Sequence, residues 1–183
     1  MQTTEILMRE HRLIERVLSS LEDGAQRLHS GDAVDPQFFV DAAEFVSGYA
    51  DSCHHGKEED ILFREMQQQL GMDGMGPVDM MLREHDMGRR YTADFRSAAV
   101  RMQQGDRKAQ AEVVENALAY VDLLREHILK EDEILYPMAE QFLVPVIQQR
   151  IDELVTQADE RDEQSGLCER YRRLADDLQR AMA

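Results

Sequence analysis

Apolar side chains recur along this chain at steps of three and four residues, the spacing that places them on one face of an α-helix. The first such stripe runs over roughly 3–29 and stops at the turn-rich segment HSGDAVDP. A second helix begins at Pro36, with Asp35 as its predicted N-cap, and continues to about Leu70. The segment LGMDGMGP then interrupts the pattern, because glycine and proline are poor helix formers.

Two further long helices follow this break. The third carries its stripe from Val78 to Ala99 and the fourth from Ala117 to Met138. Because short loops between long helices make neighbours antiparallel, we predict an all-α fold. It is an up-down-up-down four-helix bundle over 1–142 with a C-terminal helical extension over 143–183, interrupted near 165–167. The extension either packs on the bundle or pairs with a second copy in a homodimer.

One internal repeat is visible in the second and fourth helices. At a constant offset of about 73 positions, one set of side chains recurs in the same order: His54, Lys57, Glu58, Ile61 and Leu62 return as His127, Lys130, Glu131, Ile134 and Leu135. The two helices therefore present matching side chains, which predicts a pseudo-twofold arrangement around a shared centre.

The repeated histidine and glutamate lie four positions apart, so they share one helical face, and that face is the apolar one. A carboxylate buried there is costly unless it is paired, protonated or bound to a metal ion. His11 and His85 lie on the apolar stripes of the first and third helices. Four imidazoles and two carboxylates suit two metal ions bridged by both carboxylates, with iron favoured and manganese or zinc as alternatives. A structural zinc site would instead close with four ligands, often thiolates.

Four strings carry a resemblance to a known family: EHRLIERVL, CHHGKEEDILF, REHDMGRRY and LLREHILKEDEILYP. Over roughly 3–140 the chain resembles the hemerythrin-like family, also called the HHE cation-binding domain. The resemblance implies a non-haem di-iron centre, with two iron ions joined by an oxo or hydroxo bridge. It also implies a ligand set of His11, His54, Glu58, His85, His127 and Glu131, with the two glutamates as bridges.

Two departures from the family pattern bear on function. Oxygen-carrying members have a second histidine one turn before His85, where this chain has Met81, and a carboxylate five positions after His127, where it has Asp132. The resemblance therefore favours a protein that binds or reacts with a small oxidant (dioxygen, peroxide or nitric oxide) in oxidative or nitrosative stress. A non-enzymatic metal store, oxygen sensor or interaction bundle is the alternative, and the sequence does not decide whether the chain is an enzyme.

Two further histidines are weaker candidates. His55 lies about 100° around an α-helix from His54, so it should face a neighbouring helix or solvent. Whether His55 or Asp132 joins the site stays open. His29 lies about 27 Å along the helix from His11, at 1.5 Å per residue, so we place it outside the site.

For other residues near the predicted ligands, a purely structural role competes with a functional one. Gly88 either leaves room for a ligand or allows close helix packing. Core packing is favoured for Tyr120 over a hydrogen bond to a metal-bound oxygen. Cys53 is expected to be an inert buried thiol.

Composition and charge limit the classes of partner that the chain is expected to bind. A formal net charge of −16 argues against nucleic acid and anionic membrane surfaces, which both need a basic face. No apolar run approaches the roughly 20 residues of a membrane span. The N-terminal stretch is an amphipathic helix and not a signal peptide. With its 2 cysteines far apart, reduced thiols and a cytoplasmic location are expected.

Overall fold

The computed structural model of the chain describes residues 1–71, 74 and 76–183, and within them the protein is helical throughout, without strands. The predicted all-α class is therefore confirmed. The described residues form six continuous helical segments: α1 (Gln2–Ser30), α2 (36–70), α3 (Pro77–Gln103), α4 (109–142), α5 (Pro145–Gln164) and α6 (Leu167–Met182).

Helix ends follow the local signals in the sequence. The Asp35 side chain accepts a hydrogen bond from the Gln37 backbone N–H at 2.9 Å, which confirms the predicted N-cap of α2. Helices α1 and α2 end at Gly31 and Gly71, whose φ angles of 92° and 62° are left-handed and favour glycine. Residues 72, 73 and 75 of the predicted break lie outside the described part of the chain.

Helices α2 and α4 are not regular α-helices along their whole length. Both contain π-helical turns, in which backbone N–H groups bond five residues back; such turns are rare and are often found at functional sites. In α2 they cover Val46–His55 and Glu58–Phe63, and in α4 they cover Glu131–Leu135. The repeated histidine–glutamate strings lie on or directly beside these turns.

The helices pack around two apolar clusters. Helix α4 packs along α1 and α3, and α2 packs along α3. The larger cluster contains residues such as Leu18, Phe39 and Phe95, and the smaller contains Leu62 and Leu135. Along α1 and α3 the smaller cluster comes first, and along α2 and α4 it comes last. In each of the four helices, the predicted ligands lie where the two clusters meet.

The C-terminal helices pack onto α1 and α2. Ile151 and Val155 of α5 are fully buried in the smaller cluster, and α6 contributes Tyr171 to the larger one. A Cβ placed on Gly48 would lie 1.6 Å from the Tyr171 hydroxyl oxygen, so α6 contacts the backbone of α2 directly. Pairing with a second copy stays a prediction. Among the described residues, the helices are all too short or too polar to cross a bilayer.

Candidate metal centre

The six residues predicted as ligands come together between the two apolar clusters. Each of these residues is at most 1% exposed to solvent. They come from four helices, and the set is His11 of α1, His54 and Glu58 of α2, His85 of α3, and His127 and Glu131 of α4.

Each of the two glutamates lies between histidines of two different helices. The carboxylate of Glu131 has one oxygen 3.3 Å from His11 Nε2 and the other 3.1 Å from His127 Nε2. One oxygen of Glu58 lies 3.7 Å from His54 Nε2 and 3.5 Å from His85 Nε2. Each carboxylate thus lies beside imidazoles of two helices, a placement compatible with a bridge between two cations.

The buried oxygens lack hydrogen-bond donors. Within the described residues, both carboxylate oxygens of Glu131 and one of Glu58 form no hydrogen bond, although they are shielded from water. The other oxygen of Glu58 accepts a hydrogen bond from the Tyr136 hydroxyl at 2.5 Å. Unpaired buried carboxylate oxygens are costly, and a cation beside them would remove that cost. The donor set therefore fits bound metal.

The donor atoms fall into two groups that share Glu58. In each group the atoms lie within 4.8 Å of one another, which allows one cation per group. One group is His11, His54, Glu58 and Glu131, and the other is His55, Glu58, His85 and His127.

A carboxylate holds the Nδ1 atom of each predicted histidine ligand. We call Glu10, Glu59, Glu84 and Asp132 the outer carboxylates. Such a partner fixes the ring tautomer and directs the Nε2 lone pair toward the centre. The contacts are His11–Asp132 at 2.7 Å, His54–Glu10 at 2.9 Å, His85–Glu59 at 2.6 Å and His127–Glu84 at 2.9 Å.

Each outer carboxylate also has a cationic partner. Lys57 donates to Glu10, and Lys130 donates to Glu84, so the lysines of the repeated strings occupy equivalent places. Arg12 donates to Asp132 and Arg89 to Glu59. The four negative charges around the centre are thus matched by four positive ones.

Sequence reasoning missed most of this outer layer. It considered Asp132 only as an alternative ligand, whereas the structure places Asp132 against the outer nitrogen of His11. A usable signal was present, because Glu10 and Glu84 directly precede His11 and His85 within matching Arg-Glu-His strings. Tyr136, whose ring also stacks on His11 at 5.7 Å between centroids, was likewise missed.

Burial and neighbouring charge separate the pKa values of the central groups. Burial, together with the charge of Glu131, raises the pKa of Glu58 well above its usual value. Burial alone would raise the pKa of Glu131, but His127 and His11 lower it well below its usual value. Burial would lower the pKa of His127, yet Glu131 and Glu84 raise it to about 9. The two central carboxyl groups are thus shifted in opposite directions, Glu58 toward its neutral form and Glu131 toward its charged form.

His55 is buried, contrary to the solvent-facing alternative. Only 5% of the residue is exposed, and its ring stacks on His85 of α3 with centroids 3.7 Å apart. The α-helical angle that was assumed does not apply, because Val46–His55 is π-helical and each residue turns the chain through a smaller angle. The alternative of facing a neighbouring helix was correct. His29 is exposed at the end of α1, as predicted.

A cavity of about 970 Å³ lies between α2 and α3 and borders this centre. Its lining residues include His55, His85, Gly88 and Tyr120. A Cβ on Gly88 would contact the Tyr120 ring at 3.4 Å, so this glycine both borders the cavity and packs closely. Tyr120 is buried in the larger core cluster, as favoured. Burial raises the pKa of Cys53 to about 12, which agrees with an inert thiol.

Comparison with known proteins gives the chain a family. The family model described as "Hemerythrin HHE cation binding domain" matches residues 2–139. Similar curated proteins include one of Mycobacterium bovis and two from strains of Mycobacterium tuberculosis, all described as uncharacterized. Each is 24% identical over 133 residues, which cover 73% of this chain and 51% of the relative. The chain thus spans about half the length of these relatives. No solved structure matches the chain.

Proposed function

The chain belongs to the hemerythrin HHE cation-binding domain family, and from that membership we propose that it is a non-haem di-iron protein. In this proposal it binds or reacts with dioxygen, peroxide or nitric oxide, in oxidative or nitrosative stress. The ligands are His11, His54, Glu58, His85, His127 and Glu131. Residues 1–142 form the up-down-up-down bundle and 143–183 the extension, an arrangement supported by the alternating order of the apolar clusters along α1 to α4.

The single observation that carries the proposal is the position of Glu58 and Glu131. Each buried carboxylate approaches imidazoles of two helices, and its free oxygens lack donors among the described residues. An apolar bundle core would not retain such oxygens for stability, because burying an unpaired charge costs on the order of several kcal/mol. Two bridged cations account for both glutamates at once.

The donor types favour iron, since imidazole and carboxylate together suit iron better than calcium or magnesium, with manganese and zinc as alternatives. Bound iron would supply redox and Lewis-acid chemistry. Met81 stands where oxygen-carrying members have a histidine, so this centre differs from theirs, and we favour reaction with an oxidant over simple oxygen carriage.

The residues of the chain prepare the centre in three ways. The outer carboxylates hold the four imidazoles with Nε2 inward. The Tyr136 hydroxyl donates a hydrogen bond to Glu58, with 2.5 Å between the two oxygens, and so fixes the orientation of that carboxylate. Burial excludes bulk water, while the cavity that reaches His55 and His85 admits a small molecule from the α2–α3 side.

Metal analysis and absorption spectroscopy of the purified chain test this proposal. We expect about two irons per chain and near-ultraviolet bands of a bridged ferric pair, which change when peroxide or nitric oxide is added. The double variant His54→Ala/His127→Ala should lose the metal, whereas His29→Ala should retain it. Retention of both ions by the double variant would contradict the ligand set. Iron that binds without any spectral response would instead favour a metal store.

A further inference from the structure

We propose that His55 is itself a metal ligand and supplies a third imidazole to one of the two cations. This inference rests on the proposed di-iron function, but His55 lies outside the ligand set that the family motif implies. In this proposal the centre is asymmetric: one cation takes His11 and His54 with carboxylates, and the other takes His55, His85 and His127.

The first support is the position of the His55 ring. Its centroid is 3.7 Å from that of His85 and 5.8 Å from that of His127; the His55 and His85 rings are stacked at 12°, so they must tilt apart for both in-plane lone pairs to reach one ion. A ligand atom of His55 lies within 4.8 Å of ligand atoms of Glu58, His85 and His127. His55 therefore belongs to the group of donors that does not contain His11 or His54.

The second support is the environment of the outer nitrogen of His55. Its Nδ1 lies 3.4 Å from a carboxylate oxygen of Asp51, and Arg89 donates to that same oxygen at 2.8 Å. Arg89 also donates at 2.6 Å to Glu59, the outer carboxylate of His85. His55 thus has the same arrangement of imidazole, carboxylate and cation as the four predicted histidine ligands, at a longer nitrogen–oxygen distance. A carboxylate in this place is what orients a metal-binding histidine.

The third support is the absence of a histidine at position 81. Met81 is 1% exposed and packs in the smaller apolar cluster with Leu62 and Met66. Helix α3 consequently offers one imidazole, His85, where the oxygen-carrying members of the family offer two. His55 approaches His85 from α2 and restores the missing nitrogen donor to the same cation.

The π-helical turn explains how adjacent histidines can serve different cations. In an α-helix, neighbouring side chains diverge by about 100°, which would turn one of two adjacent histidines away from the centre. Val46–His55 is π-helical, and both His54 and His55 are buried at its end. His54 joins the group with His11, and His55 joins the group with His85.

The deciding experiment compares His55→Phe with His55→Ala in the full chain. Phenylalanine keeps a ring stacked on His85 but has no nitrogen, and alanine removes both. Each variant is loaded anaerobically with Fe(II), and separately with Co(II), and the bound metal is counted and titrated against a chelator. Circular dichroism checks that each variant is folded, and His29→Phe is the matched control at an exposed histidine.

We expect wild type and His29→Phe to hold two ions, and both His55 variants to hold one tightly. The affinity for the second ion should fall by at least about tenfold. Added imidazole should restore the second ion to His55→Ala but not to His55→Phe, and this rescue decides the matter if the phenylalanine variant does not fold.

Two ions bound with unchanged affinity by His55→Phe would overturn the inference, because stacking alone would then suffice. Two ions in wild type together with this result would leave the di-iron proposal intact. A wild-type chain that binds fewer than two ions would overturn both.

Discussion

Replacing Glu84 by glutamine tests whether the outer carboxylates tune the metal centre. Glu84 accepts from His127 Nδ1 at 2.9 Å and from Lys130. Glutamine has nearly the same shape and keeps an oxygen that can accept from Nδ1. It removes the negative charge that makes the imidazole a better ligand, and it leaves the Lys130 ammonium without its partner.

The expected loss is about 10- to 100-fold in metal affinity, the usual effect of removing such a carboxylate. This corresponds to about 1.4–2.8 kcal/mol, at about 1.4 kcal/mol for each factor of ten. The repeat makes a second prediction of the same size: Glu10 relates to His54 and Lys57 as Glu84 relates to His127 and Lys130. Glu10→Gln should therefore cause a similar loss.

Competition against a chromophoric chelator measures both affinities. Glu126→Gln is the matched control, since Glu126 directly precedes His127 but is exposed. The reasoning is refuted if Glu84→Gln binds metal as tightly as Glu126→Gln does. A loss in Glu84→Gln without one in Glu10→Gln would refute the equivalence of the two halves alone.

The structure makes four further predictions. Tyr136→Phe removes the donor to Glu58 and should lower the unfolding free energy of the metal-free protein by about 1–3 kcal/mol; an unchanged urea midpoint would count against it. Metal uptake at pH 7 should release protons, detectable with an indicator dye, because the pKa values of His127 and Glu58 are raised. For His127 the folded pKa of about 9 exceeds the ordinary 6.5, so its contribution to metal-free stability is complete below 6.5 and lost as pH rises through 9; equal thermal midpoints at pH 6.5 and 9 would disagree. Gly48→Ala should destabilise by about 1–3 kcal/mol because its methyl overlaps Tyr171. In a Tyr171→Ala background the same change should stabilise by up to about 1 kcal/mol, and one sign in both backgrounds would disprove the docking of α6.

Much of the fold could be predicted because its signals are local. The first helix was expected over roughly 3–29 and spans Gln2–Ser30. The N-cap at Asp35 and the break after Leu70 likewise depend on residues close in sequence. The six central side chains could be brought together because each lies on the apolar stripe of its helix, and burial of those stripes forces them toward one interior.

The π-helical turns and the outer carboxylates could not be predicted in the same way. The same sequence can form an α-helical or a π-helical turn, and the choice between them depends on contacts with other helices. The position of His55 was therefore open. Glu10 contacts His54, which lies 44 positions away, so their pairing depends on how α1 and α2 pack. The sequence shows that Glu10 precedes His11, but its contact is with a different histidine.

The large cavity touches the two halves of the centre unequally. Its walls include His55 and His85 but not His11 or His54. If each half holds one ion, the ion beside the wall can exchange with solution while the other stays enclosed. We then expect a chelator to withdraw the ions one after the other. Partial stripping followed by refilling would give a chain with a different metal at each position, and each ion could then be followed by its own spectrum.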